Sequence, residues 1–295
     1  MNPLFLFVNV VICFLLVACG GGGGGGGDGV STSISQSQSA LSSITGNPLN
    51  CADYSKLVQG AYIGASVPFG TYNSGKPYTS CINITPTSQG VAFEAKWNTP
   101  QNTVNLQEII FGLKGGYTNS NGVLPRLANE INSLVVTYDA QVTVAQGIGD
   151  LSVESWLTTG PTAGCNTPQC GVMVELFVNL QTSWNPDYRG LPIVTVDGRD
   201  WYMRAGSTKE TNATPVTNTY AEPKPNGGTF QFHVSFLPVK NLPNQSQIDM
   251  KKFYNYLVSA NVLPNTLYFS NVEFMLESNG GSGELRVNNF VVDVK

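Results

Sequence analysis

Short strand-like runs separated by turn residues fill the chain from residue 60 onward. The runs are rich in β-branched and aromatic residues, and Gly, Pro and Asn lie between them. Because strands at such spacing bury their apolar faces by packing sheet on sheet, the pattern predicts an all-β sandwich. The predicted strands cover residues 60–67, 80–86, 90–98, 106–113, 133–144, 150–159, 171–182, 191–205, 229–239, 266–277 and 284–294.

One segment has the periodicity of a helix. Residues 247–261 place five apolar side chains at i, i+3, i+4, i+7 and i+8, which form one stripe on a helix. These side chains are Met250, Phe253, Tyr254, Leu257 and Val258. Ser246 can cap the first turn, and Pro264 lies just beyond the predicted end. The sequence therefore predicts a β-sandwich with one short helix.

The first 49 residues have a composition that cannot form a core. Residues 4–18 are apolar but too few to span a membrane comfortably, and Leu-Val-Ala-Cys at 16–19 resembles a bacterial lipoprotein signal. That resemblance implies a lipid on Cys19 and a protein anchored in the bacterial cell envelope, at the outer membrane or cell surface. A glycine- and serine-rich tether follows. We therefore expect a signal at 1–19, a tether at 20–49 and a folded domain at 50–295.

Charge and histidine content exclude several kinds of site. The net charge of −4 gives no reason to expect nucleic-acid binding. His233 is the chain's single histidine, so a metal site built from several histidines is excluded. We expect no metal and no cofactor. Because His233 lies in the alternating run QFHVSF, we expect it to be structural.

Four cysteines outside the signal are available for disulfides. They are Cys51, Cys81, Cys165 and Cys170, and an exported protein meets an oxidising compartment. Three pairings are possible. The pairs Cys51–Cys81 and Cys165–Cys170 are favoured, because the second pair brackets the short turn Asn-Thr-Pro-Gln.

Three glutamates lie in the middle of predicted strands. In GVMVELFVNL (171–180), alternation puts Glu175 on the face opposite an aliphatic row that includes Val174 and Leu176. Glu154 and Glu277 lie in similar settings on their own strands. If these faces belong to one sheet, several carboxylates share a cleft. Glycoside hydrolysis needs one carboxylate that attacks or activates water and one acid with a raised pKa.

From Cys51 to Lys295 the sequence resembles glycoside hydrolase family 12, a β-jelly-roll group of retaining endoglucanases and xyloglucanases. The order of the similar segments along the chain carries the resemblance. The segments are GAYIGASVPFGTYNSG (60–75), FEAKWN (93–98), SVESWLTT (152–159), ELFVNL (175–180), VTVDGRDWYMRAG (194–206), IDMKKFYNYL (248–257) and EFMLESNGGSGELRVNNF (273–290).

The resemblance implies roles for individual residues. Glu175 takes the place of the family's nucleophile, and Glu277 that of its acid/base. Glu154 stands where the family has an Asp that hydrogen-bonds the nucleophile, and Asp139 is a second candidate for that role. An alternative alignment of residues 172–174 puts Gly171 at the nucleophile position and leaves the chain without a nucleophile.

The resemblance also implies what the protein binds. Candidate substrate-binding residues are Phe69, Trp97, Trp156, Asn179 and Trp201, of which Phe69 and Asn179 replace tryptophans of the family. The expected partner is a β-glucan or xyloglucan, and we expect a monomer. The implied function is a surface-anchored endo-acting β-glucan hydrolase. The alternative is a glycan-binding surface lipoprotein that kept the fold and lost the chemistry.

Overall fold

The computed structural model describes residues 48–68, 71–114, 117–118, 122–161, 170–182, 191–207 and 232–295. These residues form strands and one α-helix, α1 (Met250–Ser259). The strands are β1 (Lys56–Gln59), β2 (Tyr62–Val67), β3 (Thr79–Pro86), β4 (Val91–Lys114), β5 (Tyr117–Thr118), β6 (Arg126–Leu127), β7 (Leu134–Thr158), β8 (Cys170–Thr182), β9 (Ile193–Val196), β10 (Arg199–Ser207), β11 (Phe232–Pro238), β12 (Gln245–Asp249), β13 (Tyr268–Phe269) and β14 (Asn271–Val294). Single 3-10 turns lie at Tyr72–Ser74 and Ala128–Glu130.

Three long strands run through both layers of the sandwich. The strands β4, β7 and β14 bend where the backbone adopts a positive φ, at Asn102 (63°), Gly147 (80°) and Gly281 (93°). The sequence predicted two separate strands in each case. That prediction was wrong because Asn and Gly at these corners bend the chain without reversing it, so each strand continues into the other layer.

The bends divide the strands between two layers. The first layer contains β3, β12, the first halves of β4 and β7, and the second half of β14. The second layer contains the other halves of these three strands, with β1 and β2 at one edge and β8, β11, β10 and β9 towards the other. Within this layer, β8 and β11 pair in parallel.

Apolar side chains from both layers meet in one core. The Phe274 ring of the second layer lies 5.1 Å from Tyr138 and 5.3 Å from Phe290, both in the first layer. On β7, Leu151 and Val153 face this core and are buried. The prediction of an all-β jelly-roll sandwich with one short helix is confirmed.

The helix is shorter than the sequence predicted. Its N-cap is Asp249, whose side chain accepts a hydrogen bond from the backbone N–H of Lys251, and not Ser246. Ser246 pairs instead with β7 as part of β12. The apolar stripe faces the core as predicted, and the Phe253 ring packs 5.2 Å from Trp201. Trp201 is consequently fully buried.

A disulfide joins the start of the described domain to β3. It links Cys51 to Cys81, as predicted, and the neighbouring Asn50 pairs with Ile82. The Cys165–Cys170 pairing lies outside the described part, since Cys165 and the side chain of Cys170 are not described. The signal, Cys19 and most of the tether also lie outside it. Among the described residues, no helix has the length and hydrophobicity that a membrane crossing requires.

The corner at Gly281 generates a stability prediction. A Cβ on Gly281 would lie 2.0 Å from the backbone oxygen of Gln146, whereas a Cβ on Gly60 would meet nothing within 4 Å. Both glycines have positive φ, so both alanine variants are strained by about 1–2 kcal/mol. Only Gly281→Ala also clashes with backbone. We expect Gly281→Ala to lower the free energy of unfolding much more than Gly60→Ala in urea denaturation. Equal losses would contradict the close packing of this corner.

Candidate active site

The second layer carries a row of polar side chains on the face opposite the core, here called the carboxylate face. Strand pairing sets five residues side by side across five strands: Glu273, Glu154, Glu175, Ser235 and Arg204. Their sequence neighbours, such as Val153 and Val174, point into the core. The alternation of single strands, combined with this register, therefore collects acidic groups on one surface.

Of the three glutamates that the sequence predicted to be catalytic, Glu175 has the most hydrogen-bond partners. Its side chain is buried, with only 4% of the residue exposed. Its Oε2 atom lies 2.9 Å from Nε2 of His233 and 3.3 Å from Oγ of Ser235. Burial raises the pKa of Glu175 to about 7, although hydrogen bonds from Glu154 and Ser235 and the charge of Arg204 act to lower it.

The structure bears on both alternatives that the sequence left open. Glu175 lies directly opposite Glu154. Gly171 lies near the start of β8, beside an irregularity in its pairing with β7, and not beside Glu154. Asp139 lies in the first layer, where its carboxylate accepts a hydrogen bond from Gln245. Glu154 is therefore the acid that neighbours Glu175, and the catalytic roles stay predictions.

Glu277 lies further along the same face, opposite Asp150 on β7. It is half-buried. Burial and the nearby charge of Glu175 raise the pKa of Glu277 to about 8. Burial and the charges of Glu277, Glu175 and Glu154 raise the pKa of Asp150 well above its ordinary value. Asp150 was not among the predicted site residues, although Asp150, Ser152 and Glu154 follow one another at intervals of two and so share one face of the strand.

A half-buried lysine, Lys114, lies on the opposite side of the carboxylate face. The ammonium of Lys114 lies 2.6 Å from Glu108 and 2.6 Å from Glu273, and both carboxylates are fully buried. Asn271 donates a further hydrogen bond of 2.6 Å to Glu273. The two glutamates raise the pKa of Lys114 well above its ordinary value, so the ammonium stays charged. Burial raises the pKa of Glu273 to about 8 against the opposing effect of Lys114.

Glu154 lies between this lysine cluster and Glu175. Its Oε1 atom accepts a 2.8 Å hydrogen bond from Ser152. Burial and the charge of Glu175 raise the pKa of Glu154 well above its ordinary value, while Lys114 and Ser152 act to lower it. A protonated Glu154 can donate a hydrogen bond to an ionised Glu175. The pair therefore supports one negative charge better than two.

The predicted aromatic contacts divide between the two faces. Trp156 lies on the carboxylate face, two residues from Glu154, and its indole Nε1 has no hydrogen-bond partner among the described residues. Trp97 belongs to the core, 3% exposed, and packs against Gly283. Trp201 is also in the core. Buried in this way, Trp97 and Trp201 present no ring face to a substrate.

Two other predicted contacts have no described side chain. Phe69 lies outside the described residues, and only the backbone of Asn179 is described. An irregularity between β7 and β8 sets Asn179 opposite Leu151 and Phe177 opposite Ser152. The strict alternation that put Asn179 on the face of Glu175 is therefore interrupted at Val178. No group of three or more metal-binding side chains occurs in the described part of the chain.

The Lys114 cluster generates a stability prediction. Lys114→Met leaves Glu108 and Glu273 buried without a counter-charge, so we expect a loss of about 3–5 kcal/mol at neutral pH. Urea denaturation at neutral pH measures it. The matched control is Lys96→Met, which breaks the partly exposed pair with Glu284 and should cost at most about 1 kcal/mol. A similar small loss for Lys114→Met would contradict the role of this cluster.

Comparisons with known proteins concern the fold and the family of this chain. A search of curated protein sequences gives no match. Solved structures similar to this chain include a family 12 xyloglucanase from Bacillus licheniformis, with a TM-score of 0.67 and 21% identity over 84% of this chain and 99% of that one. Endoglucanase 3 from Trichoderma harzianum has a TM-score of 0.65 and 18% identity over 84% and 97%.

A third similar structure is endoglucanase Cel12A from Rhodothermus marinus, with a TM-score of 0.63 and 17% identity over 84% of this chain and 98% of that one. Identities this low show a shared fold. The sequence profile of glycosyl hydrolase family 12 matches residues 73–295, which is more than half of the chain and includes every acid of the carboxylate face. The chain therefore belongs to glycosyl hydrolase family 12.

Proposed function

We propose that this protein hydrolyses a β-1,4-linked glucan, as an endoglucanase or xyloglucanase, by a retaining double displacement. The single observation that carries the proposal is the neighbourhood of Glu175. It is a buried carboxylate with hydrogen-bond donors on one oxygen, a neighbouring acid, and a second acid, Glu277, on the same face. The similar solved structures include a family 12 xyloglucanase and endoglucanases.

The first step needs opposite protonation states in the two glutamates. Glu175, ionised, attacks the anomeric carbon, while Glu277, protonated, gives its proton to the departing glycosidic oxygen. The pKa of Glu175 is raised to about 7 and that of Glu277 to about 8. Between these values the nucleophile is mostly ionised and the acid mostly protonated. Activity should fall below pH 7 as Glu175 gains a proton, and above pH 8 as Glu277 loses its proton.

The second step reverses the role of Glu277. Once Glu175 is joined to the sugar, it no longer carries a charge. Because the charge of Glu175 helps to raise the pKa of Glu277, forming the ester lowers that pKa. Glu277 can then act as a base and take a proton from the water that attacks the anomeric carbon. Asp150 pairs with Glu277. When Asp150 is ionised, its negative charge acts to keep the pKa of Glu277 high.

Substrate contacts fit the same face. Trp156 lies on this face two residues beyond Glu154, and its indole Nε1 is buried. Trp156 remains a proposed contact through its place on this face. Phe69 and Asn179 remain proposed contacts. We further propose that the protein acts as a monomer and is held at the bacterial cell surface by a lipid on Cys19.

Glutamate variants test the chemistry. Glu175→Gln removes the attacking oxygen and keeps the size, so hydrolysis of barley β-glucan, carboxymethylcellulose and xyloglucan should fall at least about a thousandfold. Glu277→Gln should lose least on aryl glycosides, whose leaving groups need no proton. The control is Glu284→Gln, on the first layer, which should keep full activity. An equally active Glu175→Gln protein would place the nucleophile elsewhere.

Absence of hydrolysis in the wild-type protein gives a different conclusion. If the protein hydrolyses none of the three polysaccharides but is retarded by one of them in an affinity gel, it is a glycan-binding protein with a degenerate site. Retardation should then persist in Glu175→Gln, because binding does not need the attacking oxygen.

A labelling experiment tests the anchor. Cells that express the full chain should incorporate labelled fatty acid into this protein, and Cys19→Ser should abolish incorporation and leave the precursor uncleaved, because the lipid is attached through the cysteine sulfur. Cys13→Ser is the matched control, since it lies within the apolar segment and should label normally. Unchanged labelling of Cys19→Ser would disprove the anchor at this position.

A further inference from the structure

Strand β11 presents two polar side chains to one oxygen of Glu175. His233 and Ser235 lie two residues apart, on the same face of β11, and β11 pairs in parallel with β8 so that Ser235 is opposite Glu175. Both approach Oε2, with distances of 2.9 Å from Nε2 of His233 and 3.3 Å from Oγ of Ser235. The two side chains also lie 3.1 Å from each other. Neither of these contacts involves Oε1 of Glu175.

The imidazole of His233 is neutral in this setting. Burial and the charge of Arg204 lower the pKa of His233 to about 3. The contact with Glu175 is therefore a hydrogen bond of a neutral ring and not an ion pair. Because an ionised carboxylate only accepts hydrogen bonds, Nε2 must then carry the ring proton. Among the described residues, the charged and titratable groups around Glu175 are Glu154 and Asp150 from β7, Glu273 and Glu277 from β14, Lys114 from β4, Arg204 from β10 and His233 itself from β11.

We infer that His233 is a positioning residue for the nucleophile: its Nε2–H, with the hydroxyl of Ser235, holds Oε2 of Glu175 and leaves Oε1 to attack the sugar. This inference rests on the proposed function. A donor on Oε2 stabilises the ionised carboxylate and fixes its rotation. The sequence suggested only a structural role for His233. Strand alternation does not show which side chain of the neighbouring strand lies beside it.

The same two donors act again when the intermediate breaks down. In the glycosyl ester, Oε1 is bonded to the anomeric carbon and Oε2 is the carbonyl oxygen. Water attacks the anomeric carbon and gives its proton to Glu277, and the electron pair of the breaking bond returns to Glu175. Negative charge then develops on Oε2, where Nε2–H of His233 and the hydroxyl of Ser235 stabilise it. His233 gains and loses no proton in either step.

The test compares two variants at this position. His233→Phe removes the donor and keeps a flat ring, whereas His233→Gln keeps an N–H at a similar reach. Without the donor, the ionised form of Glu175 is less stable. The acidic limb of the kcat/KM profile, near pH 7 in the wild type, should therefore move up by about one pH unit in His233→Phe. His233→Gln should return the limb to within a few tenths of the wild-type position.

An aryl β-cellobioside with a good leaving group separates the two steps. Its first step is fast, so breakdown of the intermediate limits kcat. In His233→Phe, kcat should fall about tenfold or more and KM should fall with it, because the intermediate accumulates. A residue that only supports the fold would change thermal stability without this split. If His233→Phe keeps the wild-type pH profile and kcat, or if His233→Gln behaves like His233→Phe, the inference is wrong.

A measurement without turnover keeps the two proposals distinguishable. NMR titration of carboxyl-labelled glutamate in the full protein follows Glu175 directly, with Glu175→Gln identifying its signal. Its pKa should rise by about one unit in His233→Phe and remain near the wild-type value in His233→Gln. If the wild-type protein hydrolyses nothing, the proposed function fails, while this titration still shows whether His233 holds Glu175. An unchanged titration would overturn the inference even in an active enzyme.

Discussion

Burying several carboxylates on one sheet face is the constraint on which the site depends. Among the described residues, the carboxylate face carries six acids: Glu108, Asp150, Glu154, Glu175, Glu273 and Glu277. Isolated ionised carboxylates are costly to remove from water, so most of these groups must share protons or meet a cation. Lys114 meets that need for Glu108 and Glu273 at 2.6 Å from each. The remaining acids, Asp150, Glu154, Glu175 and Glu277, must then share protons with one another.

The long strands explain how these groups come together. Lys114 and Glu108 lie on the second half of β4, Glu273 on the first half of β14, and Glu154 on the second half of β7. The strands β4 and β7 enter the second layer at a corner, and β14 leaves it at one. At one corner Gly281 lies against the backbone of Gln146, where a side chain would not fit. The glycine corners therefore fix the register that sets Glu273, Glu154 and Glu175 in one row.

Local alternation in the sequence was enough to place some of this site. The period of two in residues 171–180 correctly separated Glu175 from the core residues Val174 and Leu176. Alternation shows which residues share a face, but not which face meets the core. Trp97 shares its face with Phe93 and Ala95, and that face is the buried one. Alternation also fails beyond a bulge, as at Val178, where the partner of Ser152 becomes Phe177.

Non-local pairing placed the remaining groups. Nothing in QFHVSF shows that its histidine contacts Glu175, because β8 and β11 are separated by 49 residues (183–231) and pair in parallel. The opposition of Asp150 and Glu277 likewise depends on the corner in β14, just beyond Glu277. Such contacts are set by the register of distant strands, which composition and periodicity do not specify.

The two glutamates differ because their neighbours differ. Glu175 receives hydrogen bonds from His233 and Ser235, and such donors stabilise a carboxylate. Glu277 lies opposite another carboxyl, Asp150, which favours the protonated form of each. Burial raises the pKa of both glutamates. Hydrogen bonds with Glu154 and Ser235 and the charge of Arg204 act to lower that of Glu175, which is about 7, whereas the charge of Glu175 raises that of Glu277 further, to about 8. The separation is in the direction that a nucleophile and an acid require. Reversing it would need the donors on β14 and the second carboxyl on β11, so strand pairing sets this difference between the two carboxyls.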